Sequence, residues 1–244
     1  MTNKWLKVAL MATAIATGTS INIDAETVLY VPQDDRPVSL QYTVDTAREA
    51  GMTVLTPPQN LISGKTYQGQ ADQIMAWVEQ NAGRADVMVL STDTLIYGGL
   101  VDSRKHNIPL STLQNRLKRI EGLKARNKNV RIYGFGTVMR SPRASGGGTE
   151  PAYYAEYGPT IFQIAALQDK LDSGSLTQEE TQKMMSLQAS VPVEYLQDWF
   201  DRRQKNMKIN KELIDETRSG VFDYFALGHD DTSQLSQSAL EGRY

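Results

Sequence analysis

The chain contains no cysteine among its 244 residues. That excludes a disulfide framework and thiol catalysis. Only two histidines occur, His106 and His229, so histidine-rich zinc sites are nearly excluded and a divalent cation would need oxygen ligands. No organic cofactor is expected. Neither sign of charge is in excess: the formal net charge is −2, which gives no reason to expect nucleic acid as a partner. There is no Gly-x-Ser-x-Gly elbow and no His-Glu-x-x-His, so serine-hydrolase and zinc-protease readings lack support. Gly64-Lys65-Thr66 looks like the end of a phosphate-binding loop. However, Gln59 stands where that loop requires glycine, and Pro57-Pro58 break the context. Internal repeats and low-complexity tracts are also missing.

No apolar run is long enough to cross a bilayer. The stretch Val8 to Ala16 falls well short of the roughly 20 residues required. Lys4 and Lys7 precede it, and Ile23-Asp24-Ala25 follows a series of small residues. Residues 1–25 therefore read as an export signal cleaved after Ala25. The expected location is periplasmic or extracellular, with no stable membrane insertion once the signal is removed.

What is present is an alternation of strand-like and helix-like segments in residues 26–244, read as a single domain. Strands are expected at 27–31, 52–55, 87–90, 130–139 and 221–227. Helices are expected at 40–50, 72–80 and 110–124, the last carrying Leu110, Leu113, Leu117, Ile120 and Leu123 at helical spacing. Three more helices, the third either intact or broken, would form an insertion over about 150–219 before the last strand. This order predicts an α/β fold with a parallel sheet of about five strands flanked by helices. The sheet is either open and doubly wound or an incomplete TIM-like barrel. Ser238 to Glu241 looks like the start of a further helix just before Tyr244, so the chain is expected either to be truncated or to pack against a partner.

Parallel α/β folds collect ligand-handling groups in the loops after their strands. Here those loops carry acids: Asp34-Asp35-Arg36-Pro37 after the first strand, Ser91-Thr92-Asp93 after the third, and Gly228-His229-Asp230-Asp231 after the fifth. Asp230 and Asp231 are candidates for paired acid and base chemistry, or for a cap or solvated turn. Asp34 and Asp35 could hold substrate hydroxyls or cap a helix, with Arg36 pairing one of them. Tyr97, ahead of Gly98-Gly99, could stack on a sugar ring or cover the core. Arg104 and Arg140 could bind a carboxylate or phosphate, or pair with the aspartates.

The block Val31-Pro32-Gln33-Asp34-Asp35-Arg36-Pro37-Val38 resembles a bacterial family described as domain of unknown function 4127. So do Ser91 to Arg104, Thr137-Val138-Met139-Arg140, Arg202-Arg203-Gln204-Lys205-Asn206 and Asp230-Asp231. Members are about twice this length, so the resemblance is to an N-terminal half. It implies that these blocks form one site and names no chemistry. The leading expectation is an exported hydrolase whose acidic pocket acts on a polar substrate, with carbohydrate the foremost class. The alternative is a periplasmic binding or scaffold protein with the same pocket and no turnover.

Overall fold

The computed structural model describes residues 25–144, 147–230 and 233–243. The expected export signal, apart from Ala25, lies outside the described residues, and so does Asp231. Five strands form one sheet: β1 (Thr27–Val31), β2 (Thr53–Leu55), β3 (Val87–Ser91), β4 (Arg131–Val138) and β5 (Tyr224–His229). Their order is β2-β1-β3-β4-β5, and every neighbouring pair is parallel. The α/β class and the five-stranded parallel sheet are thus as the sequence predicts. The chain crosses from β1 outward to β2 and then back past β1 to β3. In a TIM barrel successive strands are neighbours; here β1 separates β2 from β3. The order is that of a doubly wound sheet whose switch point lies between β1 and β3.

Nine helices follow among the described residues: α1 (Gln41–Glu49), α2 (Ala71–Asn81), α3 (Thr92–Tyr97), α4 (Leu100–Lys105), α5 (Leu110–Arg126), α6 (Tyr154–Asp172), α7 (Gln178–Ala189), α8 (Val193–Arg218) and α9 (Gln237–Glu241). Alternation along the strands sorts side chains to two faces. Leu29, Val31, Met88, Leu90 and Ile132 pack on α2, α5 and α8 through Ile74, Met75, Val78, Leu113, Leu117, Ile120, Ile209 and Leu213. Each such fully buried side chain contributes about 1.5–3 kcal/mol. The opposite face is covered only in part. Tyr30 and Val54 meet Val44 of α1, while Val28, Val89 and Phe135 stay half-buried. A separate small core gathers Met139, Tyr154, Ile161, Ile164, Val191 and Trp199 around α6 and α8. The 26-residue α8 is unbroken.

Two boundaries differ from the sequence expectation. Residues 92–105, where the sequence pattern predicts no helix, form α3 and α4. Ser91 caps α3, its Oγ accepting from the Thr94 N–H at 3.3 Å. Gly98 closes α3 at φ 110°, a left-handed conformation that disfavours a side chain. The last strand starts at Tyr224 rather than Val221. Phe222 turns into the core and packs at a tilt against Phe225, with centroids 5.2 Å apart. Asp223 breaks the apolar run: its Oδ2 accepts from the Ile132 N–H at 2.8 Å and from Lys124 Nζ at 2.8 Å. Gly134, opposite Phe225 on β4, leaves room for both rings, because a Cβ there would lie 2.6 Å from Phe222 and 2.7 Å from Phe225.

Candidate functional site

The carboxyl ends of β1, β3, β4 and β5 share one edge, and a cavity of about 370 Å³ opens there. The turn after β1 contributes Gln33, Asp34 and Arg36, and α4 contributes Leu100, Val101 and Arg104. Thr137 and Arg140 come from the end of β4, Asp230 from the end of β5, and Lys65 and Thr149 from two loops. Asp34 and Asp230, at opposite ends of the described sequence blocks, therefore line the same hollow.

The turn after β1 is held by backbone and hydroxyl contacts. Thr94 Oγ1 donates to the Pro32 carbonyl at 2.6 Å, the Leu100 N–H donates to the Gln33 carbonyl at 3.3 Å, and the Asp35 N–H donates to the Ser63 carbonyl at 2.9 Å. Asp34 is buried, and its Oδ2 accepts from Arg36 Nε at 2.8 Å and Nη2 at 2.7 Å. Both Arg36 nitrogens thus share one oxygen, and the Arg36 N–H reaches Oδ1 at 3.2 Å. Asp35 diverges from this pair, accepts from the Tyr67 hydroxyl and does not line the cavity. Arg104 is only 4% exposed and pairs with Asp230. Arg140 donates from Nε to Glu150 at 2.8 Å and from Nη2 to Thr149 Oγ1 at 2.7 Å.

Asp93 sits one layer behind the cavity. Its Oδ2 accepts from Gln33 Nε2 and from Thr137 Oγ1, each at 2.9 Å, and it positions those two lining side chains. Burial pushes its carboxyl up to about 6 against the opposing hydrogen bonds of Gln33 and Thr137. The folded state therefore binds the proton more tightly than the unfolded chain, whose value is near 3.8. Asp93 lowers stability as pH rises from about 4 through 6. Both side-chain bonds go to one oxygen, so an amide oxygen can accept them, while the Thr137 backbone N–H also favours the charged carboxylate. Asp93→Asn should lie above the parent in stability at pH 7.5 by at most about 3 kcal/mol, with the gap closing at pH 4. Urea unfolding of both proteins across that range checks this, and a variant weaker than the parent at pH 7.5 would contradict it.

Tyr97 is not at the cavity. It is buried and stacks on His106 with centroids 4.9 Å apart, so it covers the core. His106 is pushed down to about 4, first by burial. Its Nε2 lies 2.8 Å from Asn206 Oδ1 and its Nδ1 accepts from the Ile108 N–H at 3.2 Å. These partners assign the proton to Nε2. His229 ends β5 as an exposed residue. The block on α8 grips the rim from behind. Arg202 Nε donates to the His106 carbonyl at 2.8 Å, Asn206 Nδ2 to the Ser103 carbonyl at 2.8 Å, and Arg203 to the Met139 and Arg140 carbonyls at 2.7 and 2.9 Å.

Gln33, Lys65, Thr137, Thr149 and Glu150 were not among the sequence candidates. Gln33 and Thr137 lie inside the quoted blocks beside charged residues, and that adjacency was the available signal. Lys65 was set aside with the failed phosphate-loop reading. The charge of the cavity also differs from expectation. Its described lining carries Arg36, Lys65, Arg104 and Arg140 against Asp34 and Asp230. The described lining is therefore not acidic in balance, because its acids attract arginines that neutralise them. Among the described residues, no group of three or more His, Asp or Glu side chains could hold a metal ion. None of the described helices is long and apolar enough to cross a membrane.

A family model described as "Protein of unknown function (DUF4127)" matches residues 28–244. No curated protein and no solved structure matches the chain.

Proposed function

The chain belongs to the DUF4127 family, and we propose that it takes a small polar ligand, of sugar size and rich in hydroxyl groups, into the crevice at the carboxyl ends of β1, β3, β4 and β5. One observation carries this reading: three sequence-distant elements bring Gln33, Asp34, Thr137, Arg140 and Asp230 to one hollow beside the switch point of the sheet. Ligands of doubly wound folds bind at that point. A few convergent polar groups in a concave site are what orients such a ligand. The same proposal places the protein outside the cytoplasm, on the strength of residues 1–25.

A second reading adds hydrolysis, with Asp230 and Asp231 as acid, base or substrate-orienting carboxylates. It is favoured by Asp230, whose side chain reaches the cavity wall at the end of β5. The described carboxylates that line the cavity are each engaged by an arginine, which supports binding more directly than proton donation.

Calorimetry against a panel of neutral and charged monosaccharides and disaccharides, followed by product analysis of each binder, tests both readings. Saturable binding without product is the expected result. No heat from any member would end the binding reading. If product forms, Asp230→Asn should lower turnover by about 10²-fold or more, and unchanged turnover would remove Asp230 from the chemistry.

A further inference from the structure

We propose that the ligand of this crevice carries an anionic group, a carboxylate or a phosphate, and that Arg104, Arg140 and Lys65 receive it. This rests on the polar-ligand reading and specifies the ligand's chemistry.

The described lining holds four cationic side chains and two carboxylates. Arg36 and Arg104 are each matched by one of those carboxylates, Asp34 and Asp230. Arg140 is matched by Glu150, which is buried behind the wall. Lys65, the fourth cation of that lining, is exposed and makes no ion pair among the described residues. An anionic group on the ligand would supply its counter-charge.

Arg104 gives the second argument. Its side chain is 95% buried by exposure, and its Nε has no hydrogen-bond partner among the described residues. A buried guanidinium with an unused donor is costly. Arg104 is held below its ordinary pKa first by burial, with Arg140 adding repulsion and Asp230 opposing it. Two like charges facing one hollow are relieved by an anion between them. The planar fork of arginine also matches the oxygens of a carboxylate or phosphate.

The Lys65 side chain can reach such a group. It lies by the loop of Gly147 and Gly148, where a Cβ on Gly147 would sit 3.7 Å from its Nζ. On the other side of that loop, Lys105 Nζ donates to the Gly148 carbonyl at 3.0 Å. The loop is thus fixed next to the cationic wall.

The experiment is calorimetry of the full chain with glucose, glucuronate and glucose 6-phosphate, at low salt and at high salt. At least one of the charged sugars should bind about tenfold to a hundredfold more tightly than glucose, and the preference should shrink as salt rises. Arg104→Gln should remove most of it. Lys65→Gln, at an exposed side chain that leaves folding intact, should weaken it about threefold to tenfold. Glucose binding as tightly as both charged sugars would overturn this inference while leaving the polar-ligand reading in place. No binding of any of the three, with the parent folded by circular dichroism, would overturn both. A charged-sugar preference that survives in Lys65→Gln and in Arg104→Gln would also overturn the assignment of these residues.

Discussion

Arg203→Ala is expected to destabilise the protein by about 3–5 kcal/mol, a fall in Tm on the order of 10 °C for a chain of this size. Arg203 is 1% exposed and makes a two-nitrogen pair with Glu241 of α9, at 2.7 Å from Nε and from Nη2. Its remaining donors reach the Met139 and Arg140 carbonyls at the end of β4. Truncation leaves the Glu241 carboxylate and two carbonyls without their partner, and burial makes each omission costly. Replacing both partners, Arg203→Met with Glu241→Leu, should recover part of the loss by removing the orphaned charge. It should not recover all of it, because the Arg140 carbonyl loses its donor, although the Met139 carbonyl keeps Ser238 Oγ at 2.8 Å. Chemical denaturation of the parent, the single variant and the double variant separates these effects. A single variant within 1 kcal/mol of the parent would show that the clamp does not hold the rim.

The other large effect is at Trp199, one helical turn earlier on α8. Trp199→Ala should cost about 3–5 kcal/mol through lost burial and the cavity left behind. The ring is fully buried, lies 4.6 Å from Tyr154 by centroid, and carries the Arg203 guanidinium 5.2 Å from its own centroid. Its Nε1 has no hydrogen-bond partner among the described residues. Trp199→Phe therefore sacrifices volume but no hydrogen bond, and should cost about half as much or less. Because Trp199 and Arg203 touch, their substitutions should not add, and the double-variant cycle should show coupling of about 0.5–3 kcal/mol. Equal losses in Trp199→Phe and Trp199→Ala would mean that the indole nitrogen matters after all.

The strands and most helices were legible because their signals are local. The run Thr27 to Val31, the stripe Leu113, Leu117, Ile120 and Leu123, and the long helix ending near Arg218 each declare their period within a few residues. Two kinds of information were not local. The short helices over residues 92–105 owe their existence to contacts made elsewhere, such as Thr94 with the Pro32 carbonyl and Asp102 with the Gly69 N–H at 3.0 Å. The sign of the cavity depends on which charge pairs with which. Asp34, Asp93 and Asp230 could be read as acids after strands, and their convergence on one edge follows from the parallel topology. Nothing in the sequence near Arg140 says that Glu150 will fold back on it, or that Asp93 will stand behind Gln33 and Thr137 instead of beside Asp230. Tyr97 illustrates the same limit. A tyrosine before two glycines is compatible with a ligand platform, and only packing against His106 decides that it is interior.

The bare half of the sheet governs how this protein behaves when crowded. Val28, Val89, Tyr133 and Phe135 are only half-buried on the face that α1 covers in part, and Tyr224 at the edge strand β5 is 62% exposed. An oily plane ending in unpaired strand atoms invites other chains to stick. With a formal net charge of only −2, repulsion between copies is weak and is screened further as salt rises, so binding measurements should be repeated at several protein concentrations.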